Sequence, residues 1–340
     1  MKRYYLFTLL LLCACSNKKN AIIPSPIFPS QINVFAYKYE NEIITLYPSE
    51  MVLIDSILLY FRPGGCAVKE IGVIDGEDKG PVWHIGNGPN EFIGPHFAGQ
   101  NYKDSTLSIY DITLRRLYKY KWSKLGGQLT YNLMEEQYRN NSLTLAFTLW
   151  LDNGYIVSQS QNNNGDALLL QKSDFEPISS FCNPLNIETP LTWHLNGCFD
   201  LLGNKFVYAT WFFGYIGYYE ITELGEIIKH WEYMLSTPIY EITADKLKID
   251  DSRNKKGFTD IKMTDKYVYC LYEGKIPDYS IPHSPTNLLI FDHQGHPVAH
   301  LKLDRECARF AVSQDNKTLY AAEWMEGNLV RYDLSNILEK

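Results

Sequence analysis

Residues 307 to 333, CARFAVSQDNKTLYAAEWMEGNLVRYD, read as three short strands joined by two tight turns. Looser copies of this unit recur along the chain. Apolar anchors of the second strand fall at Leu58, Leu107, Ile156, Val207, Val268 and Leu319, at intervals of 49, 49, 51, 61 and 51 residues. A period of about 50 residues is the length of one four-stranded propeller blade. A single such blade cannot bury both its faces, whereas a ring of them can. The expected fold is therefore all-β: a six-bladed β-propeller with four-stranded antiparallel blades. The longest interval, Val207 to Val268, holds a polar insertion over 236–257, and residues 242–249 within it have helix-like spacing. The sixth copy shows only three strands, which would leave an exposed edge. The strand-like segments 32–37 and 43–47 have no blade of their own, so the ring is expected to close by an N-terminal strand joining the last blade.

The first residues, MKRYYLFTLLLLCAC, combine Lys2 and Arg3 with an apolar run too short to span a bilayer. They read as an export signal. The end of that run, Leu12-Cys13-Ala14-Cys15, resembles the bacterial lipobox. The resemblance implies cleavage after residue 14 and acylation of Cys15. Ser16 resembles outer-membrane-sorted lipoproteins, although Lys18 and Lys19 stand where surface-displayed ones carry an acidic run. The expected organisation is a signal peptide over 1–14, a Pro-rich lipid-anchored tether over 15–30 and the propeller over 31–340. The expected location is the cell envelope, as an outer-membrane lipoprotein held to the membrane by its lipid. Five cysteines remain beyond the signal, Cys66, Cys182, Cys198, Cys270 and Cys307, an odd number lying mostly in strand-like runs. Buried thiols are expected. The net charge of −7 argues against nucleic acid as a partner.

At the end of the first blade the chain reads Gly86-Asn87-Gly88-Pro89-Asn90-Glu91-Phe92. This resembles a Gly-x-Gly-Pro-x-Glu-Phe motif of six-bladed, TolB-like β-propeller lipoproteins of bacteria, with Gly86, Gly88, Pro89, Glu91 and Phe92 matching. The glycines and proline make a fixed turn between blades. Glu91 is expected to cap backbone amides and Phe92 to wedge under a blade, so the motif is read as structural. It lacks the Gly-Lys-Ser/Thr ending of a phosphate loop.

In propellers, the loops joining second to third strands share a face with the links between blades. That face should carry Arg62, Asn162 to Asn164, Trp211, Phe212, Phe213, Tyr279, His283 and Trp324, with Trp193 and His194 on a link. Aromatic faces stack on sugar rings or peptide groups, while amides and Arg orient polar atoms. The competing reading packs the aromatics between blades. His293, His296 and His300 straddle a turn and a face-alternating strand, so they are not expected to converge on a metal. There is no Gly-x-Ser-x-Gly elbow and no His-Glu-x-x-His, and no cofactor is expected. The favoured function is non-catalytic binding, by a monomer, of an envelope protein or a glycan. The alternative is a hydrolase or lyase acting on saccharides through acidic residues at the central channel, since propellers host both.

Overall fold

The computed structural model describes residues 23–40, 48–61, 66–138, 147–160, 165–188, 193–243, 247–250, 252–278, 280 and 284–338. They form six antiparallel blades in a ring. The first comprises Glu50–Ile54, Ile57–Phe61, Val68–Gly72 and Asp78–Ile85, the last paired in parallel with Glu91–Phe92. The second comprises Pro95–Asn101, Thr106–Asp111, Arg116–Leu125 and Gln128–Tyr138; the third, Thr148–Trp150, Ile156–Gln159, Leu168–Gln171 and Pro177–Phe181. The fourth comprises Gly197–Leu202, Lys205–Thr210, Tyr215–Ile221 and Ile227–Met234; the fifth, Phe258–Met263, Tyr267–Tyr272, Asn287–Asp292 and Pro297–Leu303. The sixth has Cys307–Val312, Thr318–Glu323 and Leu329–Asp333.

Second strands are covered on both faces by neighbouring blades, so they read as apolar runs without alternation. Every residue of Ile57–Phe61 and of Ile156–Gln159 is buried. Outer strands face water on at least one side. Gln128–Tyr138 is mostly exposed, with only Leu129 buried. The short turns on one side of the ring are tied to each other. Asn101 Nδ2 donates to Asp152 Oδ2 at 2.5 Å, Asn153 N to Asn204 Oδ1 at 2.9 Å, and Thr264 Oγ1 to Asn316 Oδ1 at 2.6 Å. Asn316 sits at φ +62°, a left-handed turn position that Asn tolerates at little cost.

At the ends of the ring an N-terminal segment joins the sheet of the sixth blade as its fourth strand. Tyr37–Lys38 lies beside Leu329–Asp333 through two residue pairs only, and residues 43–47 lie outside the described residues. Ile32–Val34 instead runs parallel to Leu301–Leu303 on the fifth blade. The first and sixth blades meet through side chains: Met51, Leu53, Leu58 and Tyr60 share a core with Ala311, Ala322 and Leu329. The described part of the expected tether lies against the ring. Pro24 O accepts Met234 N at 2.9 Å, and the Phe28 ring stands edge-on to Phe291 at 5.0 Å.

The insertion holds a hairpin rather than a helix, Tyr240–Ile242 paired with Leu247–Ile249. Leu247 and Ile249 are buried while Lys248 between them is exposed, a two-residue period that a helix would not satisfy.

The Gly86–Phe92 motif is a packed turn. Glu91 Oε2 accepts Gly88 N at 2.8 Å. A Cβ on Gly86 would stand 2.0 Å from that same oxygen, so the glycine admits the carboxylate. Phe92 is fully buried and stands edge-on to Trp83 and Tyr118. The five cysteines are free thiols; Cys198, Cys270 and Cys307 are buried, Cys66 and Cys182 half-buried. The three histidines do not converge: His293 pairs with Tyr218, His296 with Asp292 and His300 with Asn287.

Candidate ligand-binding site at the channel mouth

The first strand of each blade lines the central channel, and each carries polar residues inside an otherwise apolar run. Glu50 opens one, His96 interrupts the next, Thr148 and Asp200 fall in the third and fourth, Asp260 and Lys262 in the fifth, and Arg309 in the sixth. Near the starts of these strands, residues from all six blades line a pocket of about 180 Å³. Phe147, Phe199 and Trp211 form its aromatic wall. Phe147 meets Trp211 edge-on at 5.3 Å and lies tilted against Phe199 at 5.5 Å. Toward the other ends of the strands the channel narrows to about 50 Å³, bounded by Leu53, Gln100, Tyr102, Asp200 and Met263. The wider chamber lies on the side of the blade-to-blade links.

The carboxylates in the channel hold neighbouring blades together. Glu50 Oε2 accepts Phe97 N from the second blade at 2.5 Å. Asp200 Oδ2 accepts Met263 N at 2.6 Å, joining fourth to fifth. Asp260 Oδ2 accepts Phe310 N at 3.0 Å, joining fifth to sixth. These inward-facing amides have no strand beyond them, so the carboxylates satisfy donors that would otherwise lack a partner. Asp260 Oδ1 takes Lys262 Nζ at 3.1 Å.

Burial pushes the Glu50 carboxyl up, but the hydrogen bond and charge of His96, 3.1 Å away, outweigh it and hold it below its ordinary range. The same contact raises His96 against the opposing effect of burial. Burial pushes Lys262 down, and Asp260 and Asp200 more than restore it. Asp200 is raised to about 6, because burial there exceeds the help from Lys262.

Of the residues expected on this face, Trp211 lines the pocket. Trp193, His194 and Phe212 form a separate ledge. Trp193 stacks on His194 at 4.2 Å and meets Phe212 edge-on at 4.4 Å, with Trp193 56% exposed and His194 buried. Phe213 is fully buried in the core between the third and fourth blades and offers no surface to a ligand. Trp324 is half-buried on the sixth blade. Arg62, Asn162 to Asn164, Tyr279, His283 and Cys15 lie outside the described residues. Sequence reasoning missed Glu50, His96, Phe147, Thr148, Phe199, Asp260, Lys262 and Arg309. For Glu50, His96, Thr148, Asp260, Lys262 and Arg309 the common signal is a polar residue within successive first strands.

Residues 201–315 match the family model described as TolB-like 6-blade propeller-like. The chain is a six-bladed propeller, and its segment 201–315 is similar to that family. No curated protein matches it in sequence. Among solved structures, the chain resembles a protein of Bacteroides fragilis described as exported, with a TM-score of 0.57 at 11% identity over 89% of this chain and 99% of the other. It also resembles a member of the duf4221 family from Bacteroides vulgatus, with a TM-score of 0.52 at 11% identity over 90% and 96%. The β-propeller domain of Myceliophthora thermophila Cps50 gives 0.50 at 8% identity over 88% and 99%. At these identities the likeness concerns the fold alone.

Proposed function

We propose that this propeller is a lipid-anchored cell-envelope protein that binds a glycan or a protein segment at its channel mouth without transforming it. The observation that carries the reading is the pocket drawn from all six blades, with an aromatic wall and polar groups at its rim. Its acidic residues are engaged as brackets between blades, which leaves aromatic and cationic groups to meet a ligand. The lipobox-like Leu12 to Cys15 supports the anchor. The description of the Bacteroides fragilis neighbour as exported agrees with an envelope location. Ile23, which packs near the fourth blade, lies eight positions after Cys15, so an acyl chain on Cys15 would be attached within roughly 28 Å of Ile23.

Two measurements test this. Mass spectrometry of the mature N-terminus should find a lipid-modified Cys15; an unmodified start elsewhere refutes the anchor. A screen of glycans and envelope proteins against the full chain should yield a ligand whose affinity falls at least tenfold in Trp211→Ala. Loss of binding in Trp193→Ala with none in Trp211→Ala would move the site to the ledge.

One observation favours the alternative of a saccharide-acting hydrolase or lyase: Asp200, raised to about 6, is poised for proton transfer near neutrality. It lies in the narrower chamber, with one oxygen already accepting Met263 N. Saccharide turnover by the wild type that vanishes in Asp200→Asn would establish the enzyme.

A further inference from the structure

Three features of the channel mouth bear on what it could hold. Arg309 donates through Nε to Ser49 O at 2.5 Å and through Nη1 to Ala308 O at 2.7 Å. Both acceptors are neutral carbonyls, and among the described residues no carboxylate lies within ion-pair distance of the guanidinium. Its charge is held in place but not neutralised. Thr148 is 1% exposed, and its Oγ1 has no hydrogen-bond partner among the described residues although the residue lines the pocket. A buried hydroxyl left unpaired costs stability, so its retention points to a partner supplied from outside. Third, Phe147, Phe199 and Trp211 present ring surfaces to the same space.

Together these groups match one kind of ligand. From the side-chain ends of Arg309 and Thr148, an anionic oxygen and a hydroxyl are required. From the aromatic wall, an apolar face is required. The cavity of about 180 Å³ admits a single ring-sized unit. A peptide pairing as an added strand is disfavoured, because the inward amides of Phe97, Met263 and Phe310 are already taken by carboxylates.

Resting on the binding role argued above, we propose that the mouth seats an acidic sugar unit, a pyranose bearing a carboxylate. Arg309 receives the carboxylate, Thr148 Oγ1 a ring hydroxyl, and the Phe147–Trp211 wall the C–H face of the ring. The neighbouring Lys262, though paired with Asp260, adds a second positive charge to the approach.

The test uses the full chain in detergent, titrated with a uronic-acid oligosaccharide and with its carboxyl-reduced, uncharged counterpart, followed by calorimetry. The acidic sugar is expected to bind at least tenfold more tightly than the uncharged one and to weaken with added salt. Arg309→Gln should abolish that preference. Since Arg309 also ties the sixth blade to Ser49, a second variant guards against misfolding. Thr148→Val removes only the unpaired hydroxyl, so it should weaken the acidic sugar several-fold while leaving the unfolding midpoint unchanged or higher. Equal affinity for the two sugars, or no effect of either variant, overturns the proposal. If the uncharged sugar or an envelope protein binds in a Trp211-dependent way and the acidic sugar has no advantage, the acidic specificity fails and the binding mouth stands. If no ligand responds to Trp211→Ala, both fail.

Discussion

Asp260 accepts the backbone N–H of Phe310 across the gap between the fifth and sixth blades, at 3.0 Å. Its other oxygen takes Ile261 N and Lys262 Nζ, so one carboxylate serves a strand edge, its own backbone and a buried cation. Asp260→Ala would leave a charged and two neutral donors without their acceptor. It is expected to lower stability by roughly 3 kcal/mol in urea titration. Asp260→Asn keeps a carbonyl acceptor and should cost less. An unchanged midpoint for the alanine variant would mean the bracket contributes nothing.

Asp200 makes a prediction with the opposite sign. Its folded value of about 6 lies above that of an exposed aspartate, so the folded chain keeps a proton that the unfolded chain has released. This contribution to stability therefore falls as pH rises from about 4 to about 6 and is level above that. Asn at 200 can still accept Met263 N and has no charge to bury. Asp200→Asn should remove the fall and be more stable than the wild type at pH 7 by on the order of 1–3 kcal/mol. Urea midpoints measured between pH 4 and 7 decide it, and a less stable variant at pH 7 would contradict the burial argument.

The Glu50–His96 pair should be felt in a window. Glu50, held low, adds stability above its unfolded value and loses it as pH falls through the folded one. His96, held high, adds stability below its unfolded value and loses it as pH rises through the folded one. Their coupling should peak between about pH 4.5 and 6.5. A double-mutant cycle of Glu50→Gln and His96→Gln should give a larger coupling at pH 5.5 than at pH 9. Equal values would show that charge has no part in the contact.

Phe92→Ala empties a fully buried site and should cost about 3–5 kcal/mol. Gly86→Ala should cost about 1–2 kcal/mol, because its methyl would displace the Glu91 carboxylate from Gly88 N. In a Glu91→Ala background that cost should largely vanish. A Gly86→Ala penalty that persists there would point to backbone conformation rather than crowding by Glu91.

Much of the architecture was legible because burial leaves a local trace. Leu58, Ile156 and Val207 sit in apolar runs set between turn residues, and their spacing alone counts the blades. Gly86 and Glu91 were legible as a turn for the same reason: they lie within six residues of each other. The hairpin over 240–249 was misread because a segment that short carries too few residues to separate a period of two from one of 3.6. Loop order placed Trp211 between a second and a third strand, yet nothing local distinguished it from the buried Phe213 two residues on.

The sequence by itself determined the repeat and the number of blades, since strand period and turn chemistry act between near neighbours. Only the tertiary structure decided that Glu50, His96, Thr148, Asp260 and Arg309 share one channel. These residues come from blades about 50 residues apart, and what unites them is closure of the ring. The same closure made brackets of the carboxylates Glu50 and Asp260 and left Arg309 without one, a distinction that depends on which neighbouring strand offers an unpaired amide.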